Sequence, residues 1–217
     1  MALEVKICGI TRLEDARYCA AAGADYLGFV QHPESPRYIA PSAARGIIDW
    51  VYGPKPVGVF VNRPAAEINA ALREAGFSMA QLHGDESPDV CSRVDVPVIK
   101  AMRVGPEHSV GDVFAYFSLY RDVVDYFLLD SRVDGTWGGS GAAFDWNLAQ
   151  AVSAEFPIFL AGGIRASNVE DAARKVSPHG IDVSSSLESS PGIKDFEKID
   201  ALFDELERIR SHQRADL

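Results

Sequence analysis

The chain has 217 residues, 31 acidic and 21 basic, for a formal net charge of −10. That length can bury a sizeable core and lies within the range in which an α/β barrel is one domain, so a single domain over 1–217 is expected. The acidic balance excludes nucleic acid and anionic membrane as expected partners, and any anionic ligand has to be held by a local basic pocket. No apolar run approaches the roughly 20 residues of a membrane span, and the amino terminus enters a strand with no charged-then-apolar leader. The three cysteines, Cys8, Cys19 and Cys91, form no metal-ligand spacing, and their odd number points to free thiols in a reducing cytoplasm.

In chain order, 5–8 reads as a short apolar strand, Gly9 permits a sharp exit, and Thr11 is placed to cap the helix that follows. That helix spans 13–22, ends at Gly23, and leads into a second buried strand over 25–30. The alternation continues with helix 41–51, strand 57–61, helix 65–75, strand 78–82 and helix 87–93. Strand 97–101, helix 110–122, strand 126–129, helix 146–155 and strand 158–161 repeat it, and helix 168–176, strand 180–183 and helix 196–210 close it. Eight strand–helix units without a Gly/Ser linker have the rhythm of a (β/α)8, or TIM, barrel. An open doubly wound sheet fits less well, because no Gly-x-Gly-x-x-Gly follows the first strand.

In such a barrel the ligand lies at the carboxyl ends of the strands, which form one candidate ring. Strand 1 offers Cys8, either a buried small hydrophobe or a reactive thiol. After strand 2, Pro36 stiffens the approach to Arg37, a planar cation suited to gripping a carboxylate, with a surface arginine as the plain alternative. Strand 4 brings His83 to the rim, to bind ligand or to hold its own loop. Strand 6 stops at Asp130, and the long loop after it carries Gly138-Gly139-Ser140-Gly141, pliable enough for a lid or ligand wall. Strand 7 leaves through Gly162 and Gly163, and strand 8 through Ser184, Ser185 and Ser186. Bare backbone and hydroxyls after these two strands suit a phosphate, with a short extra helix expected over 185–189.

Alternation along strands adds one expectation. With Cys8 facing the mouth, Lys6 lies inside as well, in phase with Asp182 and Ser184 on the neighbouring last strand. A buried lysine needs a partner, so a Lys6–Asp182 ion pair is expected beneath the site, with positive charge favouring a Cys8 thiolate.

Over roughly residues 6–199 the chain resembles the phosphoribosylanthranilate isomerase family. The resemblance is carried by Lys6-Ile7-Cys8-Gly9-Ile10-Thr11, Ser35-Pro36-Arg37-Tyr38-Ile39, Gln81-Leu82-His83-Gly84, Leu129-Asp130-Ser131, Gly138-Gly139-Ser140-Gly141 with Phe144-Asp145-Trp146, Leu160-Ala161-Gly162-Gly163, and Asp182-Val183-Ser184-Ser185 with Pro191-Gly192-Ile193-Lys194-Asp195. It implies a cofactor-free Amadori rearrangement of N-(5′-phosphoribosyl)anthranilate in tryptophan biosynthesis. It further implies Cys8 as general base, Asp130 as general acid, Arg37 on the anthranilate carboxylate, and the loops bearing Gly162, Gly163, Ser184, Ser185 and Ser186 on the phosphate of a small-molecule substrate. His83 and Asp182 complete the substrate-binding candidates. That chemistry asks for a raised pKa at Asp130 from a secluded apolar setting and a lowered one at Cys8.

Two departures stand out. Ser140 replaces a usual Thr and keeps the hydroxyl, while Ser186 replaces a usual Gly and brings either an extra hydrogen bond or a shifted loop. The competing readings are a related phosphate-binding barrel enzyme of tryptophan or histidine biosynthesis, and a non-catalytic sugar-phosphate-binding barrel. Nucleophilic or redox use of Cys8 lacks an adjacent histidine or a Cys-x-x-Cys. Monomer and homodimer are both compatible with the sequence.

Overall fold

Runs rich in Val, Ile, Leu and Phe become strands buried on both faces when helices cover a parallel sheet. The computed structural model describes residues 3–131 and 146–215. Strands β1 (Glu4–Cys8), β2 (Tyr26–Val30), β3 (Lys55–Phe60), β4 (Met79–Leu82), β5 (Val98–Val104), β6 (Tyr126–Ser131), β7 (Ile158–Leu160) and β8 (Gly180–Val183) pair in sequence order, and β8 returns to β1 in parallel to close a barrel. Helices α1 (Leu13–Ala22), α2 (Pro41–Ile48), α3 (Ala65–Ala75), α4 (Pro88–Cys91), α5 (Val110–Tyr120), α6 (Trp146–Ser153), α7 (Ala166–Val176) and α8 (Phe196–Ala215) alternate with the strands. The expected (β/α)8 barrel is therefore the fold. The expected lid residues Gly138, Gly139, Ser140 and Gly141 lie outside the described residues, as do Phe144 and Asp145.

The core has two shells, as the strand period of two requires. Outward side chains such as Val5, Ile7, Leu27, Phe29 and Leu82 pack under the helices. Inward ones, Tyr26, Val57, Met79, Ile99, Leu128 and Phe159 among them, fill the barrel itself. Above that apolar filling, the inward positions turn polar and include Lys6, Gln81 and Asp182.

Three local expectations are corrected. Thr11 does not cap α1: its hydroxyl donates instead to the Gly192 carbonyl at 2.5 Å, and Arg12 occupies the cap position without a side-chain bond. The extra helix over 185–189 shrinks to one 3-10 turn, Ser185–Leu187, because the chain then extends into a hairpin, β9 (Glu188–Ser190) and β10 (Ile193–Lys194). Gly192, at φ 80°, supplies the left-handed turn residue. Strand β5 runs to Val104 because Met102–Val104 pairs with Leu129–Ser131. Among the described residues no helix is long and apolar enough to cross a membrane, and Cys8, Cys19 and Cys91 are free thiols.

Candidate active site

Since Val5 and Ile7 point out to the helices, Lys6 and Cys8 point into the barrel. Lys6 donates to Asp182 Oδ1 at 2.8 Å, across the register pair that joins β1 to β8. This is the expected ion pair, with the lysine fully buried. Burial alone would lower the Lys6 pKa, but Asp182 and Cys8 outweigh it and raise it, so the ammonium stays charged.

The Lys6 ammonium and the Cys8 sulfur border the same gap. Both groups fit because the position opposite Cys8 in the β1–β2 register is Gly28, where a Cβ would stand 3.0 Å from Lys6 Nζ. Burial dominates at the sulfur and pushes the thiol pKa up, against the opposing pull of Lys6 and Lys194. The expected depression of the Cys8 pKa is thereby corrected. The cations are in place, but loss of water around the sulfur exceeds their effect.

Asp130, next to last in β6, has its side chain 30% exposed, and its Oδ2 lies 3.3 Å from His83 Nε2. The expected secluded apolar setting is not what surrounds it; its neighbour is an imidazole. His83 in turn meets Gln81 Nε2 through Nδ1 at 2.8 Å. With the amide donating to Nδ1, the ring proton sits on Nε2, the nitrogen nearer the carboxylate. Gln81 is buried at the inward phase of β4, and the loop after His83 is pinned from behind. Fully buried Lys100 donates to the Gly84 carbonyl at 2.6 Å and to Glu86 Oε2 at 2.9 Å.

Arg37 reaches the site from the loop after β2. Glu188 of β9 grips its guanidinium, with Nε 2.9 Å from Oε1 and Nη2 2.6 Å from Oε2. Glu188 also accepts from Lys194 Nζ at 3.1 Å, and that ammonium donates to the Cys8 carbonyl at 2.6 Å. Burial opposes the charge on Glu188, yet Arg37 and Lys194 hold its carboxyl below the ordinary range.

On the opposite arc, Gly162 and Gly163 follow β7 with φ of 77° and 78°, and at Gly163 a Cβ would meet open space. Both take a positive φ that a residue without a Cβ adopts freely. Ser184 Oγ donates to the Cys8 carbonyl at 3.1 Å, and Ser185 opens the 3-10 turn. Ser186 Oγ donates to the Ile164 carbonyl at 2.5 Å. Of the two outcomes expected at Ser186, an additional hydrogen bond is the one observed, and it joins the loop after β8 to the loop after β7. The hydroxyls of Ser184 and Ser186 thus both donate to protein carbonyls.

The structure therefore gathers Cys8, Arg37, His83, Asp130, Gly162, Gly163, Asp182, Ser184, Ser185 and Ser186 at the carboxyl ends of the strands or on the loops leaving them. Gly28, Gln81, Glu188 and Lys194 belong to the same assembly and were not singled out from sequence.

A parallel eight-stranded barrel bearing a thiol and a carboxylate at the carboxyl ends of its strands is a TIM-barrel enzyme. The family model described as N-(5'phosphoribosyl)anthranilate (PRA) isomerase matches residues 5–205. The chain belongs to that family. It is 40% identical to the N-(5'-phosphoribosyl)anthranilate isomerase of Gloeothece citriformis, over 99% of both chains. The phosphoribosyl anthranilate isomerase structure from Thermotoga maritima superposes with a TM-score of 0.86 at 37% identity, covering 95% of this chain and 99% of that one. A further structure of such an isomerase, in complex with reduced 1-(o-carboxyphenylamino)-1-deoxyribulose 5-phosphate, gives a TM-score of 0.83 at 35% identity, covering 95% of this chain and 99% of that one.

Proposed function

We propose that this chain acts in tryptophan biosynthesis as a cytoplasmic single-domain isomerase. It converts N-(5′-phosphoribosyl)anthranilate to 1-(2-carboxyphenylamino)-1-deoxy-D-ribulose 5-phosphate, with Asp130 as acid and Cys8 as base. The observation that carries the residue assignment is the Cys8 thiol held against the Lys6 ammonium in the gap left by Gly28.

Asp130 delivers a proton to the furanose ring oxygen as the ring C–O bond breaks, and the anilino nitrogen donates its electron pair to form a protonated Schiff base. Cys8 then takes the C2′ proton, the C–H electrons neutralise the iminium, and an enolamine results that tautomerises to the ketone. The order suits the thiol's raised pKa. Ring opening creates a cation beside Cys8, and an adjacent positive charge favours the thiolate at the moment a base is needed. His83, with Nε2 3.3 Å from Asp130 and Nδ1 braced by Gln81, orients the acid. Arg37 takes the anthranilate carboxylate, and the amides after β7 and β8 take the phosphate.

The test is the fluorescence decay of freshly generated phosphoribosylanthranilate with the wild type, Cys8→Ala and Asp130→Asn. Rapid decay with the wild type and near abolition in both variants supports the reading. Decay that survives in either variant removes that residue from its role, and saturable binding without turnover in the wild type removes the reaction.

A further inference from the structure

The reading above gives Arg37 a substrate carboxylate, but a guanidinium on a long flexible stem recognises a planar acid well only when its orientation is fixed in advance. The structure supplies the fixing group. Glu188 has a side chain only 4% exposed, and Arg37 is 16% exposed. The carboxylate occupies the lateral edge of the guanidinium, taking Nε at 2.9 and 3.1 Å and Nη2 at 2.6 Å. Of the five N–H groups, those left over are the two on Nη1 and the second on Nη2. One N–H from each of these two nitrogens forms the terminal edge, a second parallel fork.

A carboxylate bonded to Arg37 would ordinarily neutralise it and spoil it for an anionic ligand. Lys194 prevents this. Its Nζ is fully buried, lies 3.1 Å from Glu188 Oε1, and donates to the Cys8 carbonyl at 2.6 Å. Two cations around one carboxylate leave a net positive charge of one for the ligand, directed through the only guanidinium edge not already occupied. The stem of Arg37 is also confined, since a Cβ on Gly9 would stand 2.8 Å from its Cδ.

We propose that Glu188 is a positioning residue that, together with Lys194, presents the terminal edge of Arg37 to the aryl carboxylate of the substrate, and that this arrangement sets the preference for a carboxyl-bearing aryl amine. The proposal rests on the isomerase reading. It also joins carboxylate recognition to the base, because the group that holds Arg37 is bonded to the lysine that holds the Cys8 carbonyl.

The test compares two inhibitors, reduced 1-(o-carboxyphenylamino)-1-deoxyribulose 5-phosphate and its counterpart lacking the aryl carboxyl, by titration against the wild type and Glu188→Gln. The amide cannot accept at both positions, so the guanidinium loses its fixed orientation. The wild type is expected to bind the carboxyl-bearing compound about 10-fold or more tightly than the other, as for one charge-assisted fork. In Glu188→Gln that ratio is expected to collapse toward about 1 to 3, with affinity for the carboxyl-free compound unchanged. Equal weakening of both compounds, an unaltered ratio, or a wild type that does not discriminate overturns the proposal. A wild type that fails to turn over phosphoribosylanthranilate, yet discriminates in a Glu188-dependent way, removes the isomerase reading and leaves the orienting role supported. Should Glu188→Gln not fold, Glu188→Asp keeps the charge and withdraws it by one methylene. A carboxyl-selective loss then supports the proposal, and a loss equal for both compounds overturns it.

Discussion

Gly28 stands opposite Cys8 with no space for another atom: a Cβ on residue 28 would lie 2.8 Å from Cys8 Sγ and 3.1 Å from its Cα. The first of those contacts is closer than real side chains tolerate, and the second presses on strand backbone that cannot swing aside. Gly28→Ala is therefore expected to displace the thiol from Lys6, lowering kcat by about 10-fold or more and stability by about 1 to 3 kcal/mol. Turnover and thermal melting measured together check this; a variant with wild-type kcat would show that the thiol has no fixed place.

The three thiols are expected to ionise late and in different company. Burial drives Cys19 up to about 12 and Cys91 to about 11. Cys8 is also raised, and there two ammonium groups, Lys6 and Lys194, oppose the effect, against one each at Cys19 and Cys91. Alkylation by iodoacetamide, followed peptide by peptide from pH 7 to 10, should rise with pH at Cys8 with a midpoint above that of a free thiol. Lys6→Met should move it higher still. A raised thiol pKa stabilises the native state while the thiol is neutral, and that contribution is lost as pH climbs through the folded value. A Cys8 midpoint below the ordinary thiol range would contradict this account.

The Lys6–Asp182 pair separates stability from chemistry. Asp182→Asn leaves a fully buried ammonium without its carboxylate and should cost about 3 to 5 kcal/mol. Replacing both partners by apolar residues of similar volume, Lys6→Met with Asp182→Leu, should recover most of the melting temperature. Turnover should stay low in the double variant because the charge beside Cys8 is gone. Recovery of both would place the pair outside the reaction.

Ser186 ties the loop after β8, to which the phosphate is assigned above by proposal, to the loop after β7 through the Ile164 carbonyl. Ser186→Gly removes that tie and gains backbone freedom, so KM for the phosphorylated substrate should rise a few-fold and inorganic phosphate should inhibit more weakly, with kcat nearly unchanged. Steady-state kinetics with phosphate as competitor decide it; an unchanged KM would mean that the amides hold their places unaided.

What the sequence disclosed follows what is local or periodic in it. Strand 180–183, helix 13–22 and helix 65–75 were legible to the residue, since Gly23 and Gly76 mark the helix ends and apolar runs mark the strands. The Lys6–Asp182 contact was legible because strand phase and barrel closure fix it, although 176 residues separate the partners. Glu188 and Lys194 were not. They sit in a polar stretch whose burial depends on partners 151 and 186 residues away, and the local trace of their hairpin was the Pro191-Gly192 turn. Gly28 did leave a trace, a glycine inside an apolar strand, which signals a close approach. The sign of the Cys8 shift could not be read from sequence because it is a contest between burial and charge, and burial is a property of the closed barrel.

Lys6 and Asp182 meet at the seam where the first strand joins the last, and Lys194, which holds the Cys8 carbonyl, comes from beyond that last strand. Until β8 and the hairpin have docked, Cys8 has beside it only a Lys6 without its carboxylate partner, and Lys194 has not been brought to its carbonyl. Chemical competence thus arrives with the final piece of the architecture, and the enzyme's electrostatics serve as a proof that the barrel has closed.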